Sequence, residues 1–338
     1  MISNKFRAAV IVLIGSVTIT SCYFPSTPSP PPTPLVFVTS LSSNSAYPIN
    51  SSNNSIGSAI SVGLTPSQIA ATASGADIYI TNQSNGTVSE IDTNKLSIIG
   101  SPIAVGKKPF GIAICSNGTA YVANTGSGSI SAIDTGSNSV ISTIEVAGSP
   151  VGVACSANGS QVDVTSFSSP PSGGSGQLDP SEPGTLTEIN TSTNQVSLSQ
   201  TVGDGPNAIC DGSSPSVMYI LNSGSNTVSV YSQNGTLLRT ISVGTWPVAC
   251  SISTNGNTLA VSNELSNSLS VINTQNWTVT GTVSTESDPQ GVDVGTASTV
   301  YVSDVSSNSV QEISLSSLSV VATITGISSP IGVLEVTP

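Results

Sequence analysis

Histidine is missing from all 338 residues, and cations are scarce, with 6 Lys+Arg against 18 Asp+Glu and a formal net charge of −12. Without His there is no Ser/His or Cys/His nucleophile–base pair and no imidazole metal ligand. The few Lys and Arg cannot form the basic patch that a phosphate backbone requires, so nucleic acid is not an expected partner. Charged residues amount to 7% and aromatics to 4%. Ser, Thr, Asn and Gly must therefore supply most of the polar surface, while 37% hydrophobic residues still allow a large core. The apolar run at the N-terminus, Ala8 to Ile14, is too short to span a bilayer, which takes about 20 residues.

Lys5 and Arg7 precede that run, and Ile19-Thr20-Ser21-Cys22 follows it. This order reads as a secretory signal over residues 1–21. The tetrad resembles the bacterial lipobox, in which an aliphatic and two small residues precede a lipidated cysteine. The resemblance implies lipidation at Cys22 and a lipid anchor in the cell envelope; a chance cysteine after an ordinary signal is the competing reading. Cleavage removes two of the six basic side chains and no acidic one, leaving a still more acidic chain. Residues 22–35 hold six prolines, which favour an extended tether. At about 3.1 Å per residue it would hold a folded domain about 35 Å from the lipid. Tyr23 differs from the aspartate associated with inner-membrane retention, which favours the outer membrane in a Gram-negative source.

From residue 36 onward the chain repeats. Strand-like tetrads recur at Phe37-Val38-Thr39-Ser40, Tyr79-Ile80-Thr81-Asn82, Tyr121-Val122-Ala123-Asn124, Asp163-Val164-Thr165-Ser166, Tyr219-Ile220-Leu221-Asn222, Ala260-Val261-Ser262-Asn263 and Tyr301-Val302-Ser303-Asp304. Their starts lie 42, 42, 42, 56, 41 and 41 residues apart. A second column, Pro66, Pro109, Pro150, Pro206, Pro247, Pro289 and Pro330, keeps the same rhythm. Seven periods of this length built from short strands predict an all-β, seven-bladed β-propeller of four-stranded antiparallel blades. Asn117-Gly118, Asn158-Gly159 and Asn255-Gly256 predict type I′ hairpins before their tetrads. The tetrads, the Val-Gly-x-x-Pro turns (Val105 to Pro109, Val243 to Pro247) and the Ser-x-Asn-Gly hairpins resemble the YVTN family of seven-bladed propellers. The resemblance covers 36–338.

Each period orders as a first strand after the proline, the tetrad strand, a third and a fourth. The propeller opens on a tetrad strand and ends on a first strand, Ile331 to Val336, so the C-terminal strand should join the N-terminal blade and close the ring. On the first strands, Ile69, Ile112, Val153, Ile209, Cys250, Val292 and Val333 form a core column. Gln68, Gly111, Gly152, Ala208, Ala249, Gly291 and Gly332 are mostly small enough for neighbouring strands to approach. The tetrad tyrosines read as packing between blades rather than as a ligand platform.

Cys115, Cys155, Cys210 and Cys250 sit 6, 5, 4 and 3 residues after their prolines. They lack zinc spacing, and no metal or other cofactor is expected. Their alternating parity turns consecutive cysteines to opposite faces of their own sheets, which adjacent blades can bring together. One polarity pairs Cys115 with Cys155 and Cys210 with Cys250; the other leaves only Cys155 facing Cys210. Ordinary sheet packing, at about 10 Å, is too wide for a disulfide, so buried thiols take precedence as the reading.

For function, the expectation is a monomeric, non-catalytic propeller presenting a binding or scaffolding surface to a protein or glycan. The period of 56 residues carries an insertion, 167–184, on the same end of the ring as the connections into the first strands. Those connections vary most, and Lys107, Lys108, Asp204, Trp246 and Asp288 are the candidate rim residues. The alternative is a lactonase-like or lyase-like enzyme using carboxylates, with Asp293 and Glu335 as its candidates. Asp179, Glu182, Asp204 and Asp211 read as solvated loop carboxylates.

Overall fold

The computed structural model describes residues 33–168, 179–213, 216–295 and 299–337; the signal segment, Cys22 and most of the tether lie outside them. Every regular element among the described residues is a strand, and the strands form seven antiparallel sheets. Blades 2 to 7 begin with the inner strands Pro66–Ala71, Pro109–Ile114, Ser149–Cys155, Pro206–Ser213, Pro247–Ile252 and Pro289–Val294, each followed outward by three more. Blade 1 takes its inner strand, Pro330–Val336, from the C-terminus; outside it lie Leu35–Ser40, Ser45–Asn50 and the short Ser55–Ile56 and Ile60–Ser61. Leu35 pairs with Val336 and Val38 with Val333, so the seam is closed by an antiparallel ladder. Each inner strand neighbours the next all the way round, giving a seven-bladed ring.

The tetrads build the contacts between blades. Tyr79, fully buried, packs with Ala120, Val122 and Ile133 of the next blade. Its hydroxyl donates to Glu90 Oε1 (2.7 Å), within reach of Asn138 Oδ1 on that blade (2.8 Å). The Tyr121 hydroxyl likewise donates to Asn194 Oδ1 of blade 4 (2.8 Å). The third tetrad residue has a role that its residue type alone did not announce. Each inner strand bulges just after its proline, which leaves backbone groups out of the ladder. Thr39 accepts the Gly332 N–H of its own blade (2.8 Å) and donates to Ser67 O of the next (2.7 Å). Ser303 does the same with Gly291 N–H (2.8 Å) and Ile331 O (2.6 Å). Where the tetrad has Ala123 or Leu221 instead, a hydroxyl two residues on substitutes: Thr125 donates to Pro150 O (2.7 Å) and Ser223 to Pro247 O (2.6 Å).

Two expectations need correction. In the Asn-Gly hairpins only the glycine has positive φ (Gly118 80°, Gly159 68°, Gly256 72°), so these are not type I′ turns. The asparagine instead accepts the N–H two residues on, as Asn117 Oδ1 does from Thr119 (3.0 Å). The cysteines are also not free thiols. Cys115 is bonded to Cys155 across blades 3 and 4, and Cys210 to Cys250 across blades 5 and 6, with Cα atoms 5.4 and 6.2 Å apart. Inner strands converge more tightly than ordinary packed sheets because small residues line their contact. A Cβ on Gly111 would fall 2.1 Å from Val151 O, and one on Gly152 3.0 Å from the Ala208 Cα.

Candidate functional site

The connections into the inner strands and the turns from second to third strands share one end of the ring, the upper face. Gly126 N–H donates to Lys107 O (2.9 Å), Gly224 to Asp204 O (3.1 Å) and Leu265 to Thr245 O (3.2 Å). These turns are locked by a repeated device. Asn44, Asn226, Asn267 and Asn308, all at positive φ, accept the N–H of Thr65, Trp246, Asp288 and Ser329 at 2.8–3.0 Å. The accepting Asn tolerates the left-handed conformation, whereas Trp246 (φ 64°) and Asp288 (φ 65°) are held there by the latch.

The five candidate rim residues all belong to this face, on four connections. Lys107 and Lys108 are exposed at the entry to blade 3, Asp204 is half-buried before blade 5, and Trp246 and Asp288 are half-buried before blades 6 and 7. Part of the insertion, 169–178, lies outside the described residues. Its returning limb rests on this face: Gly205 N–H donates to Glu182 O (3.0 Å), and any side chain at Gly224 would collide with Pro180 O.

The connection into blade 7 is chemically unlike the others. In four blades a glycine lies against the last tetrad residue, Asn82, Asn124, Asn222 or Asn263, and a Cβ there would come within 2.5–2.6 Å of the amide. Gly63 and Gly106 donate their N–H to Asn82 and Asn124 Oδ1, both at 3.0 Å. Blade 7 carries Glu286 and Asp304 in those places. The Glu286 N–H turns to Gln311 Oε1 (3.1 Å), and both oxygens of fully buried Asp304 lack a partner. Burial first, then Glu286 and Asp288, pushes the Asp304 carboxyl up to about 8. Asp288 accepts from Gln290 Nε2 (3.0 Å) and Ser306 Oγ (2.9 Å). Glu264 stands beside Gln290 and Asp288, and burial raises its carboxyl. Sequence reasoning singled out Asp288 and its variable turn from Glu286, but not Glu264 or Asp304. The signal was an acidic residue at both places in one period.

A central channel of about 380 Å³ runs between the inner strands, lined by the whole core column from Ile69 to Val333. Asp211 is no solvated loop carboxylate: it stands on an inner strand, and its oxygens are buried without partners. It faces Asp163 of blade 4, which occupies a tyrosine's tetrad position and is fully buried. Desolvation, then repulsion from Asp211, raises the Asp163 carboxyl, and burial raises Asp211 as well. Glu188, opposite Asp163 in the ladder, is pushed up to about 7 by burial and by Asp163. Asp293, one of the two enzyme candidates, accepts from Ser251 Oγ (3.0 Å) and the Glu335 N–H (2.7 Å), tying blades 6, 7 and 1, and burial pushes it up to about 6.

These raised values fix the sign of a pH dependence. A carboxyl whose folded pKa exceeds its unfolded value favours the folded state at low pH, and that contribution disappears as pH rises through the folded value. Stability should therefore fall between pH 4.5 and 8.5, by about 1.4 kcal/mol per pH unit for each carboxyl that keeps its proton only when folded. Thermal melts across that range should show the decline, and Asp163→Asn should flatten it and melt higher than the wild type at pH 8. A melting temperature that rises with pH would contradict the assignment.

No protein-family model matches the chain, and no curated protein does either. Many solved structures do. A candidate 6-phosphogluconolactonase of Bacteroides uniformis superposes with a TM-score of 0.72 at 16% identity, covering 90% of this chain and 99% of its own. Kuenenia stuttgartiensis hydrazine synthase gives 0.72 at 16% identity, covering 86% and 99%. A streptogramin B lyase gives 0.65 at 14%, covering 79% and 86%. The chain is a seven-bladed β-propeller. At these identities the likeness establishes the fold alone, and activities vary across it.

Proposed function

We propose that this propeller is an exported lipoprotein of the YVTN type, anchored through Cys22 at the cell envelope, which uses its upper face as a non-catalytic binding or scaffolding surface. The observation that carries the reading is the distribution of unlike residues. Repeating positions are consumed by blade packing and latches, whereas Lys107, Lys108, Trp246 and Asp288 stand on the upper connections, beside the described returning limb of the insertion. The two disulfides favour an oxidising, exported compartment. The enzyme reading would rest on Asp293 and Glu335, yet the Asp293 carboxylate is engaged by protein donors at the seam.

The anchor is tested in the native cell. The wild type should partition into detergent and label with a fatty-acid probe, and Cys22→Ala should not; a soluble, unlabelled wild type ends the lipoprotein reading. The face is tested by crosslinking in the intact envelope with Trp246→Ala, Lys107→Glu/Lys108→Glu and a shortened insertion. If all three crosslink like the wild type while lower-face changes abolish the product, the assigned face is wrong.

A further inference from the structure

The upper corner where blades 6 and 7 meet gathers Glu264, Glu286 and Asp288 above the buried Asp304. None of the six Lys and Arg residues lies within either blade. Asp304 sharpens what the cluster requires. It is completely buried, has no hydrogen-bond partner for either oxygen, and stands where an amide or hydroxyl closes the tetrad in the other blades. A solvated acidic surface needs no such group beneath it. Beside these carboxylates are apolar side chains: Leu265 is 61% exposed, and Trp246 is half-buried, its carbonyl accepting the Glu264 N–H (2.9 Å). Acid flanking an exposed leucine and a tryptophan is complementary to a chain that alternates cations with apolar residues.

Pro34, where the described chain begins to pack, accepts from the Ser51 N–H (3.3 Å) and Oγ (2.9 Å). Ser51 follows the third strand of blade 1, so Pro34 lies at the lower end of the ring, away from this corner.

We propose that this corner is a docking site for a basic polypeptide segment, with Glu264, Glu286 and Asp288 receiving Lys or Arg side chains and Trp246 and Leu265 receiving an intervening apolar one. A cation arriving over Asp304 supplies the charge its oxygens lack and favours loss of its proton. Binding should therefore strengthen as pH rises from 6 to 8.5 and weaken with salt.

The test is calorimetric titration of the full chain in detergent at low salt with a peptide of repeated Lys-Leu-Ser. Neutralising the corner with Glu264→Gln/Glu286→Gln/Asp288→Asn should weaken binding by about tenfold or more, and Trp246→Ala/Leu265→Ser by about fivefold. The lower-face variant Asp92→Asn/Asp134→Asn, at the ends of the third strands of blades 2 and 3, should stay within about twofold, because charges beyond a Debye length from the corner contribute little. Asp304→Asn, which restores the residue of four other blades, should flatten the pH dependence. Should the triple variant fold poorly, Glu286→Gln alone, at an exposed side chain, should still weaken binding. A wild type that does not bind, a corner variant that binds like the wild type, or equal weakening from both faces would overturn the proposal. An unlabelled Cys22 would overturn the anchor and leave this result standing.

Discussion

A chain ending at Ser329 should not hold a folded ring. Truncation there removes the inner strand of blade 1, bares one edge of Leu35–Ser40 and opens the contact with blade 7. Ile331, Val333 and Val336 are buried, and their loss costs roughly 1.5–3 kcal/mol each before the exposure of Val36 and Val38 is counted. Asp293 also loses the Glu335 N–H. Against a typical stability of about 5–15 kcal/mol, this is enough to unfold the domain or leave open edges that aggregate. Limited proteolysis and thermal melting provide the readout; an unchanged melting temperature would refute the closure. Moving Pro330–Val336 ahead of Leu35 through a short hairpin should restore the fold, since Val336 and Leu35 are paired in the ladder.

The seam was legible because two independent columns repeat seven times and their phases differ by one strand at the ends. The common face of the insertion and the inner-strand connections followed from meander topology in the same way. Sequence periodicity is silent where one blade departs from the rest. Asp163 was visible as an aspartate among tyrosines, but its partner Asp211 belongs to the next period, and only the structure shows them facing each other. Asp304 escaped for a related reason. Asp for Asn is a small change in sequence, yet it replaces an amide that both donates and accepts with a group that needs donors it does not have. The type I′ expectation failed because Asn-Gly also suits a turn in which only glycine turns left-handed, with the Asn side chain supplying the remaining contact.

The disulfides were misjudged through a distance, and their removal should be the second large effect. Each bond closes a separation of 40 residues, for which chain entropy gives about 4 kcal/mol. Cys115→Ala/Cys155→Ala should thus melt lower by about 6 °C in a domain of this size. Cys210→Ala/Cys250→Ala should cost about as much, because the two separations are equal. The bonds join different blade pairs, 3 with 4 and 5 with 6, so the losses should nearly add. Mass spectrometry after alkylation without reductant should leave all four of these cysteines unmodified, and reduction should expose them. The junction between them, blades 4 and 5, carries no staple and holds the Asp163–Asp211 pair, whose carboxyls repel once ionised. Reduction and alkaline pH should therefore act together, with reduced protein losing more stability between pH 6 and 8.5 at this junction than at any other. Hydrogen exchange of the Pro206–Ser213 strand would show it. Equal protection of that strand in oxidised and reduced protein at pH 8.5 would mean that the staples do not support the acidic junction.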